Sequence, residues 1–459
     1  MDFVVNISKS ISNLVWGPFM LVLLVGTGIY LTFGLRGITF RKIFYAFKML
    51  FQGRDRSKQE GDGDITPFQA LMTSLAATVG TGNIAGVGTA IFMGGPGAVL
   101  WMWITAAFGM ATKYSEAVLA VKYREKKDTG KFAGGPMYYI KNGMGKKWNW
   151  LGWAFALFAS FAAFGIGNTV QSNSVARAAE QALNMPYWLT GLILMVLTFI
   201  VVIGGIERIA EVTEKLVPAM AIIYILGSLW IIAVNFGQLG SAFSLIFKSA
   251  FNGHAAVGGF TGAVIAQAVR FGVSRGVFSN EAGLGSAAIA HAATTTKEPV
   301  RQGIVGMLGG YIDTIIVCTL TALVIIMSGA WTVGETGAEL TTIAFNKGLP
   351  GPGGLIVAFG LIFFAFSTIL TWSYYGEKSV EYILGSKAIK PYRYLWVIMV
   401  FVGAIGNLNV VWAMADAMNG LMIVPNLVAL LVLSPVVFKE TRKYFSTEKK
   451  LKDKRKKAS

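Results

Sequence analysis

The sequence predicts an all-α polytopic membrane protein, and three observations carry this prediction. Of the 459 residues, 54% are hydrophobic and only 14% are charged, whereas about a quarter of the residues in an average soluble domain are charged. Apolar stretches of about 20 residues, the length that crosses a bilayer as a helix, recur between short polar connections. The basic residues concentrate in alternate connections. A lipid bilayer is therefore expected to be the main solvent of this chain.

Eleven apolar segments are long enough to cross a membrane as helices. In chain order, segments one to eleven cover residues 14–35, 67–92, 98–121, 150–184, 187–204, 216–236, 258–293, 304–327, 355–375, 394–408 and 411–437. Residues 1–13 contain one Asp and one Lys and do not form the basic start of a signal peptide. Segment one is therefore expected to remain in the protein.

The net charge of +17 invites a nucleic-acid interpretation, which the positions of the basic residues exclude. Of the 40 Lys and Arg residues, 33 lie in the connections and tail on one side of the predicted membrane, 3 on the other side and 4 within segments. Basic residues favour the cytoplasmic side, so we expect a multi-pass protein of the cell membrane with its amino terminus outside and its carboxyl terminus inside. The basic tail, residues 438–459, is then expected beside anionic lipid headgroups.

Enzyme and metal chemistry find no support in the sequence. The single cysteine, Cys318, permits neither an internal disulfide nor a thiolate metal site, and His254 and His291 are too few for a histidine cluster. No P-loop, nucleophile elbow or metal-ligand spacing occurs. We therefore expect a protein that is not an enzyme and that needs no cofactor.

Segments two and seven are interrupted by glycine and small polar residues. Residues 78–83 read Thr-Val-Gly-Thr-Gly-Asn, and residues 270–276 read Arg-Phe-Gly-Val-Ser-Arg-Gly. Two broken helices in matching positions indicate an inverted-repeat transporter, with repeats over 66–236 and 255–437 and an extra amino-terminal helix with a basic loop over 1–65. Taken alone, each of these two runs could instead allow close packing of neighbouring helices, because glycine is common where membrane helices touch.

A broken helix offers groups that can bind a zwitterionic amino acid. N–H groups near Gly82 and Asn83 can bind a carboxylate at the start of a half-helix. Carbonyls near Thr78, and near Phe271, Gly272 and Val273 in segment seven, can accept from an ammonium group. Such pairing is needed because unpaired polar groups within a membrane cost several kcal/mol each.

Segments four and nine supply further polar groups that we expect around the same cavity. Phe164, Asn168 and Gln171 have the spacing of one helix face in segment four. In segment nine the hydroxyls of Ser367, Thr368 and Thr371 interrupt an apolar helix, and Trp372 shares a face with Thr368. Hydroxyl and carboxamide oxygens are suitable ligands for a sodium ion, and the carboxamide of Asn83 offers one such oxygen. Each Ser or Thr hydroxyl could instead donate a hydrogen bond to a backbone carbonyl in the preceding turn of its own helix and bind no cation.

Ionisable residues within apolar segments are candidates for function. Asp313 in segment eight is one of them. The pairs Lys113 with Glu116 and Arg177 with Glu180 have helical spacing and are expected to form internal ion pairs. Glu281 could act as a gate by pairing with a basic residue.

Two runs resemble the alanine/glycine:cation symporter family, the sodium:alanine symporters. Residues 94–109 read Gly-Gly-Pro-Gly-Ala-Val-Leu-Trp-Met-Trp-Ile-Thr-Ala-Ala-Phe-Gly, with Leu100 where the family usually has Phe, and residues 279–286 read Ser-Asn-Glu-Ala-Gly-Leu-Gly-Ser. The resemblance implies sodium-coupled symport of alanine or glycine into the cell by alternating access.

Residues 78–83 are also similar to the unwound first core helix of the leucine-transporter fold, where the run Ala-Val-Gly-Leu-Gly-Asn lies beside substrate and sodium. This similarity implies that the Thr78 carbonyl accepts from the substrate amine, that Gly82 donates to its carboxylate and that Asn83 serves a sodium ion. It also implies a second sodium site, formed by the carbonyls of Ala76 and Val79 opposite Ser367 or Thr368. Thr78 and Thr81 replace apolar residues of that pattern.

Three alternatives stay open at this point. A proton-coupled permease of the same fold would place a Lys or carboxylate at the cation site. A channel would show a symmetric pore motif and no pair of broken helices. A membrane-embedded enzyme would cluster a nucleophile, a base or metal ligands.

Overall fold

A computed structural model describes residues 10–55, 61–252, 261–406 and 409–458. These residues are almost entirely helical, which confirms the predicted all-α class. The strands found among them are Glu125–Lys126 and Phe132–Ala133, which pair antiparallel as a small hairpin. This hairpin lies in the basic connection between segments three and four, outside the apolar segments.

Six helices within the described residues are long and apolar enough to cross a membrane, and a bent pair makes a seventh. The six are Lys146–Leu183, Gly205–Val234, Pro299–Met327, Pro352–Leu384, Ser386–Ile405 and Met414–Glu448. The bent pair is Pro67–Thr78 with Gly82–Gly94, and two shorter apolar helices are Pro18–Gly34 and Tyr187–Val202. The structure thus supports a polytopic membrane protein, and each of the eleven predicted segments coincides with at least one helix.

The helices follow one another in a single chain order. The α-helices are Pro18–Gly34, Ile38–Arg41, Ile43–Gln52, Pro67–Thr78, Val87–Gly94, Ala98–Lys122, Pro136–Tyr139, Asn149–Ala162, Val170–Leu183, Tyr187–Val202, Gly205–Val234, Leu239–Asn252, Thr261–Asn280, Ser286–Ala292, Pro299–Gly306, Leu308–Gly310, Thr319–Met327, Gly337–Gly348, Pro352–Leu384, Ile389–Ile405 and Asn409–Ala458. The π-helices are Gly82–Gly86, Ile140–Met144, Ala163–Thr169 and Tyr311–Cys318. The 3₁₀-helices are Lys146–Trp148, Phe236–Gln238, Ala330–Thr332 and Ser386–Ala388.

Large apolar side chains lie on the outside of the bundle as well as inside it. Leu226 and Trp230 on helix Gly205–Val234 and Ile200 on helix Tyr187–Val202 are all more than half exposed. A contiguous apolar exterior of this kind is unstable in water and stable against lipid tails. The outer faces of these helices are therefore suited to contact with the bilayer.

Segment two is broken where the sequence predicts. Its first half, Pro67–Thr78, begins with a capping box in which Thr66 and Gln69 each accept from the other's backbone N–H. The helix ends at Val79, whose backbone is extended. The chain then restarts as the π-helix Gly82–Gly86, and the two halves differ in direction by 52°. The two glycines of the Gly-Thr-Gly run allow neighbouring segments to approach this turn closely, because a Cβ added to Gly80 would lie 2.8 Å from Thr368 Oγ1 and one added to Gly82 would lie 3.0 Å from the Ser279 Cα.

Segment seven is also broken, but the predicted position of its break is wrong. Helix Thr261–Asn280 runs without interruption through residues 270–276. A Cβ added to Gly272 would lie 2.4 Å from the Ala98 carbonyl oxygen, so this glycine permits close packing of two helices. Residues 258–260, at the predicted start of the segment, lie outside the described residues.

The interruption in segment seven lies at residues 281–285 instead. Glu281, Gly283 and Gly285 have φ angles of 55°, 89° and 82°, which a right-handed helix cannot accommodate. The chain resumes as helix Ser286–Ala292. The run Gly-Leu-Gly therefore breaks segment seven through the positive φ angles of Gly283 and Gly285.

Candidate functional site

The side chain of Asn83 bridges the break in segment two. Its Oδ1 accepts from the backbone N–H of Gly80 at 2.9 Å, and its Nδ2 donates to Asp313 Oδ1 at 2.8 Å and to the Asp313 carbonyl at 3.1 Å. Asn83 is fully buried. The carboxamide thus joins the two halves of segment two to the π-helix Tyr311–Cys318 in segment eight.

The carboxylate of Asp313 joins the breaks of segments two and seven. Its Oδ2 accepts from Ser279 Oγ at 2.9 Å and from Thr314 Oγ1 at 2.7 Å. Ser279 precedes the break in segment seven, and a Cβ added to Gly82 would lie 3.0 Å from the Ser279 Cα. The carboxylate oxygens of Asp313 and the hydroxyls of Ser279 and Thr314 therefore lie together where the two breaks touch, and carboxylate and hydroxyl oxygens are ligands that hard cations prefer.

A second group of oxygens lies between segments two and nine. Ser367 Oγ and Thr368 Oγ1 lie 3.2 and 3.1 Å from the carbonyl oxygen of Ala76, and Thr371 Oγ1 donates to the Thr73 carbonyl at 3.1 Å. Both hydroxyls of the first pair also lie within hydrogen-bond distance of the Phe364 carbonyl. The structure thus brings Ala76, Ser367 and Thr368 together, and Val79 lies three residues further on, at the end of the half-helix.

The polar face predicted for segment four is divided between two neighbours. Gln171 Nε2 lies 3.4 Å from Thr81 Oγ1, and Gln171 Oε1 is buried without a hydrogen-bond partner among the described residues. Phe164 instead packs against Tyr392 and Trp396 of segment ten, with ring centroids 5.3 and 5.4 Å away. Phe164 therefore contacts segment ten in this structure, and its expected place at the substrate cavity stays a prediction.

The cause lies in the helix geometry of segment four. Residues Ala163–Thr169 form a π-helix, whose i→i+5 hydrogen bonds change the angular spacing of side chains. Residues 164, 168 and 171 consequently do not share the face that an α-helix would give them. Asn168 faces segment ten as Phe164 does, and its Nδ2 donates to the Trp396 carbonyl at 2.9 Å.

Trp372 lies at the contact of segment nine with segments four and seven. A Cβ added to Gly167 would lie 2.3 Å from the Trp372 Cβ, so the two segments touch closely there. The indole Nε1 donates to Glu281 Oε1 at 3.1 Å, and Glu281 Oε2 accepts from Ser286 Oγ at 2.6 Å. Glu281 is thus held by an indole and a hydroxyl, and no ion pair to it occurs within the described residues.

The two expected intrahelical ion pairs do not form in the described structure. Glu116 Oε1 accepts from Asn426 Nδ2 at 2.7 Å and from the Gly283 N–H at 3.2 Å, within the break of segment seven. The Nζ of Lys113 is buried and has no hydrogen-bond partner among the described residues. The other pair is separated because Arg177 donates to Asn173 and Glu180 accepts from Tyr187.

Phe271, Gly272 and Val273 do not lie at a helix break. Their carbonyls belong to the uninterrupted helix Thr261–Asn280, so the argument from free carbonyls does not apply to them. Phe271 lines a cavity of about 200 Å³ together with Ser12 and Asp416, on the side of the expected outer connections. The expectation that these carbonyls are free at a helix break is therefore wrong, while the placement of substrate contacts at these three residues stays a prediction.

Ser279 is the principal residue of this arrangement that the sequence interpretation missed. It belongs to the run 279–286, in which the sequence predicts a role beyond the family resemblance for Glu281 alone, and it lies four residues before Gly283. The sequence identifies Asp313 as an ionisable residue within segment eight but does not place it at the breaks. An isolated acid in the middle of an apolar segment is the signal that points to it, because such a residue must find polar partners.

The connection that follows segment seven is tied to the hairpin. The guanidinium of Arg124 donates to the carbonyls of Ala292 and Thr296 at 3.0 Å each, and also to that of Thr294. Burial lowers the pKa of Arg124 from its ordinary value. Asp64 Oδ2 accepts from the Phe132 N–H at 3.2 Å, and burial raises the pKa of Asp64. These contacts fix the end of helix Ser286–Ala292.

Two broken helices that meet at buried polar groups, inside a bundle with an apolar exterior, define a secondary membrane transporter. The chain belongs to the sodium:alanine symporter family, whose model matches residues 1–458. The family resemblance predicted from residues 94–109 and 279–286 is thus confirmed. The family and its relatives are transporters and not enzymes, as predicted.

Several relatives are similar over nearly their full length. The sodium/alanine symporter AgcS of Methanococcus maripaludis is 52% identical over 453 residues, which cover 97% of this chain and 98% of that protein. The probable sodium/glutamine symporter GlnT of Bacillus subtilis is 38% identical over 456 residues, covering 99% and 92%. Among solved structures, a manganese transporter of Eremococcus coleocola is 15% identical with a TM-score of 0.50, covering 81% of this chain and 78% of that one. This last likeness concerns the fold alone.

Proposed function

We propose that the protein carries small neutral amino acids, alanine and glycine, into the cell together with sodium by alternating access. Membership of the sodium:alanine symporter family supports sodium-coupled amino-acid symport. The observation that carries the proposal is the carboxylate of Asp313, which accepts from Asn83 on one broken segment and from Ser279 on the other. A cation bound there contacts both halves of the bundle and so couples their movement.

The proposed architecture is a leucine-transporter-like bundle of eleven membrane helices. Its two inverted five-helix repeats cover residues 66–236 and 255–437, preceded by an extra helix and loop over 1–65 and followed by the basic tail over 438–459. The breaks in segments two and seven, five segments apart, support this arrangement. The distribution of basic residues supports an outside amino terminus and a cytoplasmic carboxyl terminus in the cell membrane.

The substrate site is proposed at the break in segment two. The backbone N–H of Gly82 and the start of the following half-helix bind the carboxylate, because helix amino termini favour anions. The carbonyl of Thr78 accepts from the ammonium group. Gln171 Oε1, buried and unpartnered among the described residues, supplies another acceptor nearby, and Trp372 limits the space for the side chain.

Two sodium sites are proposed, and both are made of oxygen ligands. The first uses the carboxylate of Asp313 and the hydroxyl of Ser279, together with Asn83 Oδ1, which accepts from the Gly80 N–H in this structure and has to turn toward the cation. The second uses the carbonyls of Ala76 and Val79 with the hydroxyls of Ser367 and Thr368. The 3.1 and 3.2 Å distances from these hydroxyls to the Ala76 carbonyl support the second site, because rotation of each O–H turns a donor into a ligand for a cation.

A proton-coupled amino-acid permease of the same fold is the second candidate. The observation in its favour is the fully buried carboxylate of Asp313 at the junction of the breaks, a position where a proton could replace a cation. A relative in Bacillus subtilis, 36% identical, is described as a putative sodium/proton-dependent alanine carrier protein. The Ser367 and Thr368 hydroxyls favour sodium.

Uptake of labelled alanine by reconstituted proteoliposomes tests the proposal. We expect uptake that requires an inward sodium gradient and that persists when an ionophore collapses the proton gradient. Equal uptake in sodium and choline buffers would overturn sodium coupling. Uptake in choline that follows an imposed proton gradient would support the permease instead.

A further inference from the structure

A basic cavity of about 680 Å³ lies between the end of segment one and the terminal helix, remote from the helix breaks. Its lining includes four basic residues, Arg36, Arg41, Lys42 and Arg442, and two aromatic residues, Phe438 and Phe445. We call it the basic cavity. Nothing in the proposed transport mechanism uses these residues.

The described part of the protein neutralises only part of the positive charge of the basic cavity. None of the four basic side chains forms an ion pair within the described residues. Lys42 Nζ lies 5.5 Å from the Phe445 ring centroid, and Arg442 Nε donates to the Phe438 carbonyl at 3.2 Å. The acidic residue in the lining is Glu448. An excess of positive charge therefore faces the cavity and favours an anion.

The surface around the basic cavity is strongly apolar. The Phe438 ring lies directly on the backbone of Gly34, because a Cβ added there would be 2.0 Å from Phe438 Cζ. Phe33 is 77% exposed and Phe44 is 92% exposed, and Phe40 is also exposed. Helix Ile43–Gln52, which carries Phe44, is amphipathic, as helices that lie in a membrane interface are.

We propose that the basic cavity binds the phosphate headgroup of an anionic phospholipid. Arginine guanidinium groups match phosphate oxygens with paired hydrogen bonds, and Lys42 adds a point charge. Phe33 and Phe40 are exposed and adjoin the lining residues Gly34 and Arg41 in sequence, so they offer apolar surface to the acyl chains of a lipid held there. Basic pockets at the inner ends of membrane helices are suited to anionic lipids for these two reasons together. The bound lipid joins segment one to the terminal helix.

Native mass spectrometry of the full-length protein in detergent tests this site. Phosphatidylglycerol and phosphatidylcholine with identical acyl chains are added separately. We expect phosphatidylglycerol to be retained at least about tenfold more strongly, because it carries a net charge that phosphatidylcholine lacks. The double variant Arg41→Gln/Arg442→Gln should reduce that retention by about tenfold, whereas Arg41→Lys/Arg442→Lys should keep most of it.

The matched control is Lys48→Gln/Lys439→Gln, which removes the same charge from neighbouring positions outside the cavity lining. This variant should retain phosphatidylglycerol as the parent does. Equal retention of both lipids, or equal loss in both double variants, overturns the proposal. Complete displacement of the lipid by inorganic phosphate also overturns it, because it shows a site for free anions. Unchanged thermal unfolding in lipid-free detergent verifies that each variant is folded.

Discussion

The indole of Trp372 in segment nine donates a 3.1 Å hydrogen bond to the carboxylate of Glu281, the first residue of the break in segment seven. Trp372 is 1% exposed and packs against Gly167 of segment four. One side chain therefore connects three elements around the breaks. The size of its ring is expected to affect substrate selectivity, and its N–H group is expected to affect the rate of transport.

Trp372→Ala should weaken alanine binding and improve the relative binding of larger neutral amino acids. In the parent protein a leucine side chain must displace packed aromatic surface, which typically costs about 1–3 kcal/mol and corresponds to roughly a ten- to hundredfold loss of affinity. Competition binding of valine, leucine and methionine against labelled alanine measures this selectivity. If the variant excludes leucine as strongly as the parent protein does, Trp372 does not line the substrate site.

Trp372→Phe serves as the matched variant. It keeps a large aromatic ring but removes the N–H donor to Glu281 Oε1. Selectivity for small substrates should therefore persist while transport slows, because a buried carboxylate oxygen loses its partner. The same competition assay, with uptake rates beside it, separates the two effects.

Thr368→Ala should raise the sodium concentration for half-maximal transport. It deletes a hydroxyl oxygen that lies 3.1 Å from the Ala76 carbonyl. Loss of one hydrogen-bonding or ligand oxygen to a charged group typically costs about 1.5–3 kcal/mol, so we expect roughly a ten- to hundredfold increase. The control is Ser373→Ala, because Ser373 Oγ donates at 2.6 Å to Leu370 within its own helix. An unchanged sodium dependence in folded Thr368→Ala would move the site elsewhere.

Gly80→Ala probes the same cluster from segment two. A Cβ at this position would lie 2.8 Å from Thr368 Oγ1, so the hydroxyl must move. We expect a loss of stability of about 1–3 kcal/mol and a smaller stabilisation by added sodium in thermal unfolding. Gly86→Ala is the control, since a Cβ there meets nothing within 4 Å. Equal sodium stabilisation in both variants would contradict this placement.

Asp313→Asn should strongly reduce the stimulation of alanine uptake by sodium, while the protein remains folded. The substitution removes the negative charge and leaves one oxygen to accept from the Ser279 and Thr314 hydroxyls. Uptake as a function of sodium concentration measures the effect. Asp416→Asn alters another acid in an apolar segment, one that accepts from Ser12 away from the breaks, and should keep the parental sodium dependence. Parental behaviour of Asp313→Asn would remove this carboxylate from the site.

Composition and periodicity were sufficient to predict the helical class and the helix in each apolar segment. They did not predict helices Leu239–Asn252 and Gly337–Gly348, which lie in connections between apolar segments. The break in segment two was predictable because Gly80 and Gly82 flank a polar residue in an otherwise apolar helix. The same reasoning fails at Gly272, since a glycine that relieves backbone strain and a glycine that admits a neighbouring helix look alike in one sequence.

The geometry around the breaks shows why part of the site could not be predicted. The π-helix Ala163–Thr169 rotates Phe164 away from Gln171. No residue pattern in the sequence predicts that change of angular spacing. The contact of Asn83 with Asp313 joins residues 230 positions apart. Such pairing depends on which helices pack together, so a single sequence identifies the candidates but not their partners.

The most direct test of the account is the mutual dependence of alanine and sodium binding at equilibrium. Binding of labelled alanine to the purified protein is measured over a range of sodium concentrations, and sodium binding over a range of alanine concentrations. If cation and substrate share the breaks of segments two and seven, each should tighten the other by the same factor, about tenfold or more. Identical alanine affinity in sodium and in choline would contradict the account.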